Sequence, residues 1–414
     1  MEKLNKKSIS FILFDWGTSP LPTIHTTFIF SVYFINLIAI DNGTFFWGCI
    51  VGLAGILTAC FGPMIGSYCD KKGNRKLLLL SLTLLGFIST ALLWFAKPGK
   101  EYLIYASIFS CLSVLSMELM FVLYNSLLSK TSNKRNFGTI SGYAWSAGYI
   151  GGILSLIICL ILFIFPEKLP FGISKENGGD VRSCMLFISV WLMIFCIPLF
   201  FYIEEPKKNK TSKNTLNYLK DGLKTVYHSK NVFRYFIARV FYFDALATLF
   251  AFGGIYASDV FGFNKIEILY FAIIINISAA LGSIFGGFFD DKFSPFKIIR
   301  ISLIGLIFFG VILLLNENKN LFWITSFFLG AFIGPLQSSS RVLITKIIPE
   351  KKGAQFFGFA IFSGKITSFV GPLIYGMLVM LFESQKFGMF FVVILFVISY
   401  FILGNKEPVK INSK

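Results

Sequence analysis

Long apolar runs alternate with short polar breaks along the whole chain, and the breaks are mostly basic. A helix rising about 1.5 Å per residue needs about 20 largely apolar residues to cross a bilayer. Runs of that length lie near 11–38, 45–67, 77–96, 102–128, 138–165 and 182–203. A second set lies near 232–260, 266–289, 298–315, 321–345, 354–381 and 387–404. The longest polar stretch, 204–231, separates the sets. The pattern predicts an all-α membrane protein of about 12 transmembrane helices in two pseudo-symmetric six-helix bundles. The halves are 1–203 and 232–414, the latter ending in a short tail, with 204–231 as the linker. Within the linker, Leu216, Leu219, Leu223 and Val226 recur at helical spacing among Lys213, Lys220 and Lys224. That predicts a short amphipathic helix on the inner membrane surface.

Composition excludes a soluble protein. The 414 residues are 55% hydrophobic and 14% charged, with mean hydropathy +0.73. Soluble domains carry about 25% charged residues. The 51 Phe are read as lipid-facing and packing bulk, not as an aromatic binding box. A net charge of +17 would suggest nucleic acid in a soluble chain, but here the positions of the charges decide. With the N-terminus inside, inner segments hold 26 Lys and Arg and outer loops hold 7. That bias places both termini in the cytoplasm and leaves no role for nucleic acid. The basic Met1–Ser10 leads into a run too long for a signal peptide, with no small-residue cleavage site after it, so it reads as an uncleaved first helix. Seven Cys without a C-x-x-C, and two distant His, give no metal site, disulfide framework or cofactor. No G-x-x-x-x-G-K-[ST] loop occurs, so an ion gradient, not ATP, is the expected energy source.

The halves echo each other. Gly66, Asp70, Lys71, Gly73 and Arg75 follow the second span, and Gly286 and Asp290 follow the eighth, with Asp70 and Asp290 standing 220 residues apart. Phe137-Gly138 and Phe357-Gly358, which open the fifth and eleventh spans, are again 220 apart. Duplicated halves around a midplane site are a common transporter plan. The first loop resembles the G-x-x-x-D-[RK]-x-G-x-[RK] signature of the major facilitator superfamily. Further segments resemble the vacuole-effluxer-like family, also called the unknown major facilitator family. They include Phe14-Asp15-Trp16, Tyr124-Asn125, Gly148 to Gly152, Ala238-Arg239 through Asp244, and Gly334 to Arg341. In the second half Ile348-Pro349, Ser363-Gly364-Lys365 and Gly371-Pro372 follow. Pro20 and Pro22 in the first span depart from the family pattern.

The resemblance implies the major facilitator fold, a cavity lined by spans 1, 4, 7 and 10, and an inner gate at Gly66, Asp70, Lys71, Gly73, Arg75, Gly286 and Asp290. It implies a monomeric secondary active transporter in a bacterial cell (inner) membrane, working by alternating access. Eukaryotic members are associated with amino-acid efflux, so the expected cargo is an amino acid or similar small polar solute; the buried acids make protons the expected coupling ion. Efflux of drug-like compounds and transport of peptidoglycan fragments are the alternatives. A membrane-embedded enzyme or a non-transporting sensor ranks below both.

Charges inside a membrane are costly, which makes them pointers to function. Asp15, Glu118, Arg239, Asp244, Arg341 and Lys365 lie within the spans, with His25 beside them and Gln337 near-equivalent to Glu118 across the halves. These eight residues form the expected substrate or proton path. His25, Glu118, Asp244 and Lys365 fall near mid-depth, which predicts an Asp244–Lys365 pair between neighbouring spans 7 and 11. Gly48/Gly52, Gly62/Gly66, Gly138/Gly142, Gly148/Gly152, Gly282/Gly286 and Gly330/Gly334 are spaced for close helix contact.

Overall fold

A computed structural model describes residues 4–206 and 214–411. Twelve helices are long and apolar enough to cross a membrane. We number them spans 1 to 12: Lys6–Ile38, Gly43–Lys72, Arg75–Phe95, Lys100–Lys130, Lys134–Ile164, Glu176–Tyr202, Lys230–Phe261, Ile266–Lys292, Pro295–Leu315, Lys319–Ile347, Glu350–Phe382 and Gln385–Leu403. No strand occurs among the described residues. Large apolar side chains cover the outer surface: Leu315 is 81% exposed and Phe201 79%. Lipid is the solvent that tolerates such a surface, and the chain is a multi-pass integral membrane protein.

Spans 1 to 6 and 7 to 12 build one apolar core each. The helix Thr215–His228 lies between them in sequence. Its Tyr218, Gly222 and Val226 turn inward, and the Tyr218 carbonyl accepts a hydrogen bond from Gln355 Nε2 at 2.9 Å. Leu216, Leu223 and Tyr227 stay exposed on the other side. The helix therefore grips span 11 and keeps a second apolar stripe free. Lys213 lies outside the described residues.

Two spans depart from regular helix. Span 1 widens to π geometry over Leu21–Phe28 and again over Phe34–Ile38. Pro20 and Pro22 thus fall at a change of pitch and do not interrupt the span. Span 11 is broken: one helix runs Gly353–Lys365, a turn follows, and a second helix runs Val370–Phe382.

The even number of crossings puts residues 70–76, the linker helix and the described terminal segments at one end of the bundle, here the loop end. Helix backbones of opposite halves touch there at glycines. Gly66 abuts the Ala354 carbonyl, Gly138 the Gly287 carbonyl and Gly142 the Ser283 carbonyl, so close that a Cβ at any of them would clash. Toward the far end the halves part. Gly48, Gly52 and Gly55 of span 2 and Gly376 of span 11 have no neighbouring atom within 4 Å of a would-be Cβ. The helix Val370–Phe382 packs on spans 7 and 12 of its own half. The molecule is closed at the loop end and open at the far end. The expected contact at Gly48/Gly52 is therefore corrected, because those glycines lie where the halves have separated.

Candidate functional site

The loop end closes with two clamps. In the first, Gly66 lets span 2 approach the start of span 11. Asp70, 0% exposed, then reaches the first turn of Gly353–Lys365, accepting from Ala354 N at 3.2 Å and Gln355 N at 2.9 Å. A carboxylate suits a helix N-terminus because the free N–H groups and the dipole both favour negative charge. Arg75 binds the same carboxylate at 2.6 Å and gives Nη2 to the Glu350 carbonyl at 2.8 Å. Gly73, at φ +71°, makes the left-handed turn that brings Arg75 back.

The second clamp corrects the sequence register. Asp290 was expected to repeat Asp70, but Asp291 does so, accepting from Gly138 N at 2.8 Å and Thr139 N at 2.7 Å. Gly287, not Gly286, makes the close approach to span 5; Gly286 packs on Pro335 within its own half. Asp290 is 0% exposed and, among the described residues, neither of its carboxylate oxygens makes a hydrogen bond of normal geometry; Ser339 and Lys346 lie nearest, and Lys346 Nζ reaches its backbone carbonyl at 3.4 Å. Gly286-Gly287-Phe-Phe-Asp290-Asp291 satisfies G-x-x-x-D in two registers, so spacing alone could not choose between them.

Above the clamps, Arg341 of span 10 enters a pocket of the opposite half. Its Nη1 binds Asp15 Oδ2 at 2.9 Å and Asn125 Oδ1 at 3.2 Å. Nε donates to Ser141 Oγ at 2.9 Å and Nη2 to the Ser141 carbonyl at 2.9 Å. The rings of Phe11, Tyr124 and Trp145 surround the guanidinium. Gln337 accepts from the Tyr149 hydroxyl, a further link between halves. Ser141 and Tyr149 carried no charge to mark them in the sequence. Tyr149 lay within the Gly148 to Gly152 segment of the family resemblance, whereas Ser141 had only its position on span 5 to mark it.

Higher still, Glu118 of span 4 pairs with Lys365 of span 11 at 2.7 Å. Their side chains are 16% and 31% exposed, so this pair remains open to the far-end cleft. The expected Asp244–Lys365 pair does not form. Lys365 is the last residue before the break in span 11, and it turns to the opposite half. Asp244 instead caps the helix after the break, accepting from Gly371 N at 3.2 Å. Arg239 donates to the Ala360 carbonyl and to Ser363 Oγ and lies against the Phe243 ring. His25 is not in the cleft. It is buried inside its own half, 3.2 Å from Ser110 Oγ and packed against Phe30 and Trp47.

Among the described residues no group of three or more His, Cys, Asp or Glu is arranged to hold a metal. The site is thus a vertical series of charged contacts between halves, closed below and open above.

Residues 128–405 match the family model described as vacuole effluxer Atg22-like, and residues 8–156 match that of the major facilitator superfamily. An uncharacterized MFS-type transporter, YxiO of Bacillus subtilis, is 24% identical over 98% of this chain and 95% of its own. Autophagy-related protein 22 of Saccharomyces cerevisiae is 21% identical over 64% of this chain and 56% of its own. In fold, the transporter FucP in the outward conformation matches with TM-score 0.75 at 12% identity, covering 96% of this chain and 97% of its own. The proton:xylose symporter XylE matches with TM-score 0.73 at 13% identity, covering 98% and 96%.

Proposed function

The chain belongs to the Atg22-like vacuole effluxer family of the major facilitator superfamily, and on that premise we propose that it moves a small polar solute, an amino acid or similar metabolite, by proton-coupled alternating access. The observation that carries this reading is the Glu118–Lys365 pair, which joins the halves at the floor of an open cleft. A partly solvated pair is exchangeable. A solute carboxylate arriving at Lys365 competes with Glu118, which on this reading then carries the coupled proton. The neutral acid no longer ties span 4 to span 11, so solute and proton together bias the switch between states. The clamps at Asp70 and Asp291 and the Asp15–Arg341 lock then hold the loop end shut until that switch. The basic bias of the loops supports a loop end, and both termini, in the cytoplasm of a bacterial cell.

Uptake into proteoliposomes with a panel of amino acids and related solutes, with and without a pH gradient, tests this. Glu118→Gln should abolish pH-driven accumulation and retain exchange at equal concentration. Gradient-driven accumulation by Glu118→Gln, or no uptake of any solute by the wild type, would sink the reading. Reporter fusions at Lys168 and Lys210 should give opposite signals; equal signals would overturn the orientation.

A further inference from the structure

The linker helix Thr215–His228 has two faces with different fates. One is taken up by the gate. Tyr218, Gly222 and Val226 are buried, and the helix packs on span 2, on span 7 and on the start of span 11. Its contact with span 11 is specific. The Tyr218 carbonyl accepts from Gln355 Nε2 at 2.9 Å, and a Cβ on Gly222 would stand 2.5 Å from that same nitrogen. Gln355 is also the residue whose backbone N–H is held by Asp70. The helix therefore lies across the two spans that the Asp70 clamp joins, and it touches the clamp itself.

The other face is free. Leu216, Leu223 and Tyr227 follow at intervals of seven and four residues, which sets them on one line along a helix. All three are exposed, Tyr227 to 70%. Lys220 and Lys224 stand exposed beside that line, and neither has a carboxylate within 4 Å among the described residues.

Three observations say what covers this face. The helix ends at His228 and span 7 begins at Lys230, so a single residue ties it to a membrane crossing and holds it at the bilayer surface. The stripe runs on into that crossing: the Tyr227 ring lies 5.7 Å from the ring of Phe233, itself exposed on span 7. Lysines bordering an apolar stripe match the order of a leaflet, in which charged headgroups border acyl chains. A soluble acidic partner would meet the lysines but has no use for a stripe continuous with a spanning helix.

We infer that the linker helix binds anionic phospholipid in the leaflet at the loop end, and that this binding holds the Asp70 clamp shut. Lipid fixes the outer face. The inner face then keeps Tyr218 and Gly222 against Gln355 and steadies the amide that Asp70 grips. A leaflet poor in anionic lipid leaves the clamp to its own ion pair and shifts the population toward a parted loop end. The inference involves neither the cargo nor the coupling ion, so it stands or falls apart from the reading above.

The test uses the full chain in nanodiscs of phosphatidylcholine, with or without phosphatidylglycerol. A bimane fluorophore on Leu216→Cys, in a cysteine-free background, is read against brominated acyl chains. Quenching should be severalfold stronger when phosphatidylglycerol is present. Spin labels on Lys72 and Lys351 should show the ratio of parted to closed loop ends falling severalfold in the same discs. Lys220→Gln combined with Lys224→Gln should cancel both responses. Lys406→Gln combined with Lys410→Gln removes the same charge from the exposed tail and should leave both intact. Gln355→Ala should keep the quenching and lose the effect on the ratio, which separates docking from latching. Absent quenching, equal quenching in both lipids, or a ratio indifferent to lipid overturns the inference. Equal loss in the tail variant assigns the effect to net charge and overturns the site, and a ratio that still responds in Gln355→Ala overturns the latch. An equal response to soluble glycerol phosphate, or release of the fluorophore from lipid by a polyglutamate peptide, overturns the lipid surface as partner.

Discussion

At the clamp between spans 2 and 11, Asp70 caps a helix and also holds Arg75, and both side chains are withdrawn from solvent. At the clamp between spans 8 and 5, Asp291 caps a helix in the same way, with no basic side chain within 4 Å among the described residues. The backbone geometry is shared and the electrostatics are not. Two ion-paired side chains make the first clamp sensitive to losing either one, because the survivor is left buried and uncompensated. The second clamp depends on two amide hydrogen bonds and on glycine contacts, and it buries a second acid, Asp290, near Ser339 and Lys346 with no ion pair within 4 Å among the described residues.

Asp70→Asn should show the largest effect. It leaves Arg75, 1% exposed, without its anion, a loss of about 3–5 kcal/mol for a buried pair. Spin labels on exposed Lys72 and Lys351, in a cysteine-free background, should report a majority of separated loop ends. A single short distance would break the comparison. Gly287→Ala comes next, because its methyl would meet the Gly138 carbonyl; overpacking costs about 1–3 kcal/mol. It should widen the distance between labels on Arg135 and Lys292. Gly286→Ala, 2.6 Å from Pro335 Cβ, should lower the melting temperature but leave that distance alone. The reverse pattern would restore the register expected from spacing.

Asp291→Asn should shift the same distance only partly, since helix-end charge effects reach about 1–2 kcal/mol. A shift as large as that of Asp70→Asn would mean the ion pair adds nothing. Asp290→Asn removes a buried carboxylate that has no ion pair within 4 Å among the described residues, and it should leave the melting temperature unchanged or raised. A clear drop would reveal a partner for this acid. The smallest effect is expected at Glu204, whose carboxyl is held below its usual range by the Lys7 ammonium. A depressed carboxylate contributes above its unfolded pKa and loses that contribution as pH falls through the folded one. This one is exposed and screened, so Glu204→Gln should melt like the wild type at pH 7.

Depth could be read from the sequence, whereas direction around the bundle could not. Counting residues along a span placed Glu118, Asp244 and Lys365 at similar heights, and all three contribute to the middle of the molecule. Their pairing depended on azimuth, and the break after Lys365 altered azimuth in a way no periodicity announced. Asp70 was legible because Gly66, Gly73 and Arg75 all agree with one register, whereas the doubled Gly and Asp at 286–291 agree with two. His25 looked like a midplane titratable group, but Ser110 and two aromatic rings absorb it into the core of its half. The linker helix was visible in its leucine spacing. Its grip on Gln355 was not, since that contact uses a backbone carbonyl, which every residue carries.

The interruption of span 11 has a mechanical consequence. A continuous rod transmits any tilt at one end to the other, so closing the far-end mouth would lever against the clamp at Ala354 and Gln355. A rod with a joint at 366–369 does not. The outer segment, Val370–Phe382, packs on spans 7 and 12 and can move with them while the inner segment stays capped by Asp70. Sealing the entrance and unsealing the exit thereby become successive events with separate barriers. In the transporter proposed above, such a joint allows a state shut at both ends, which would prevent leakage of the coupling ion.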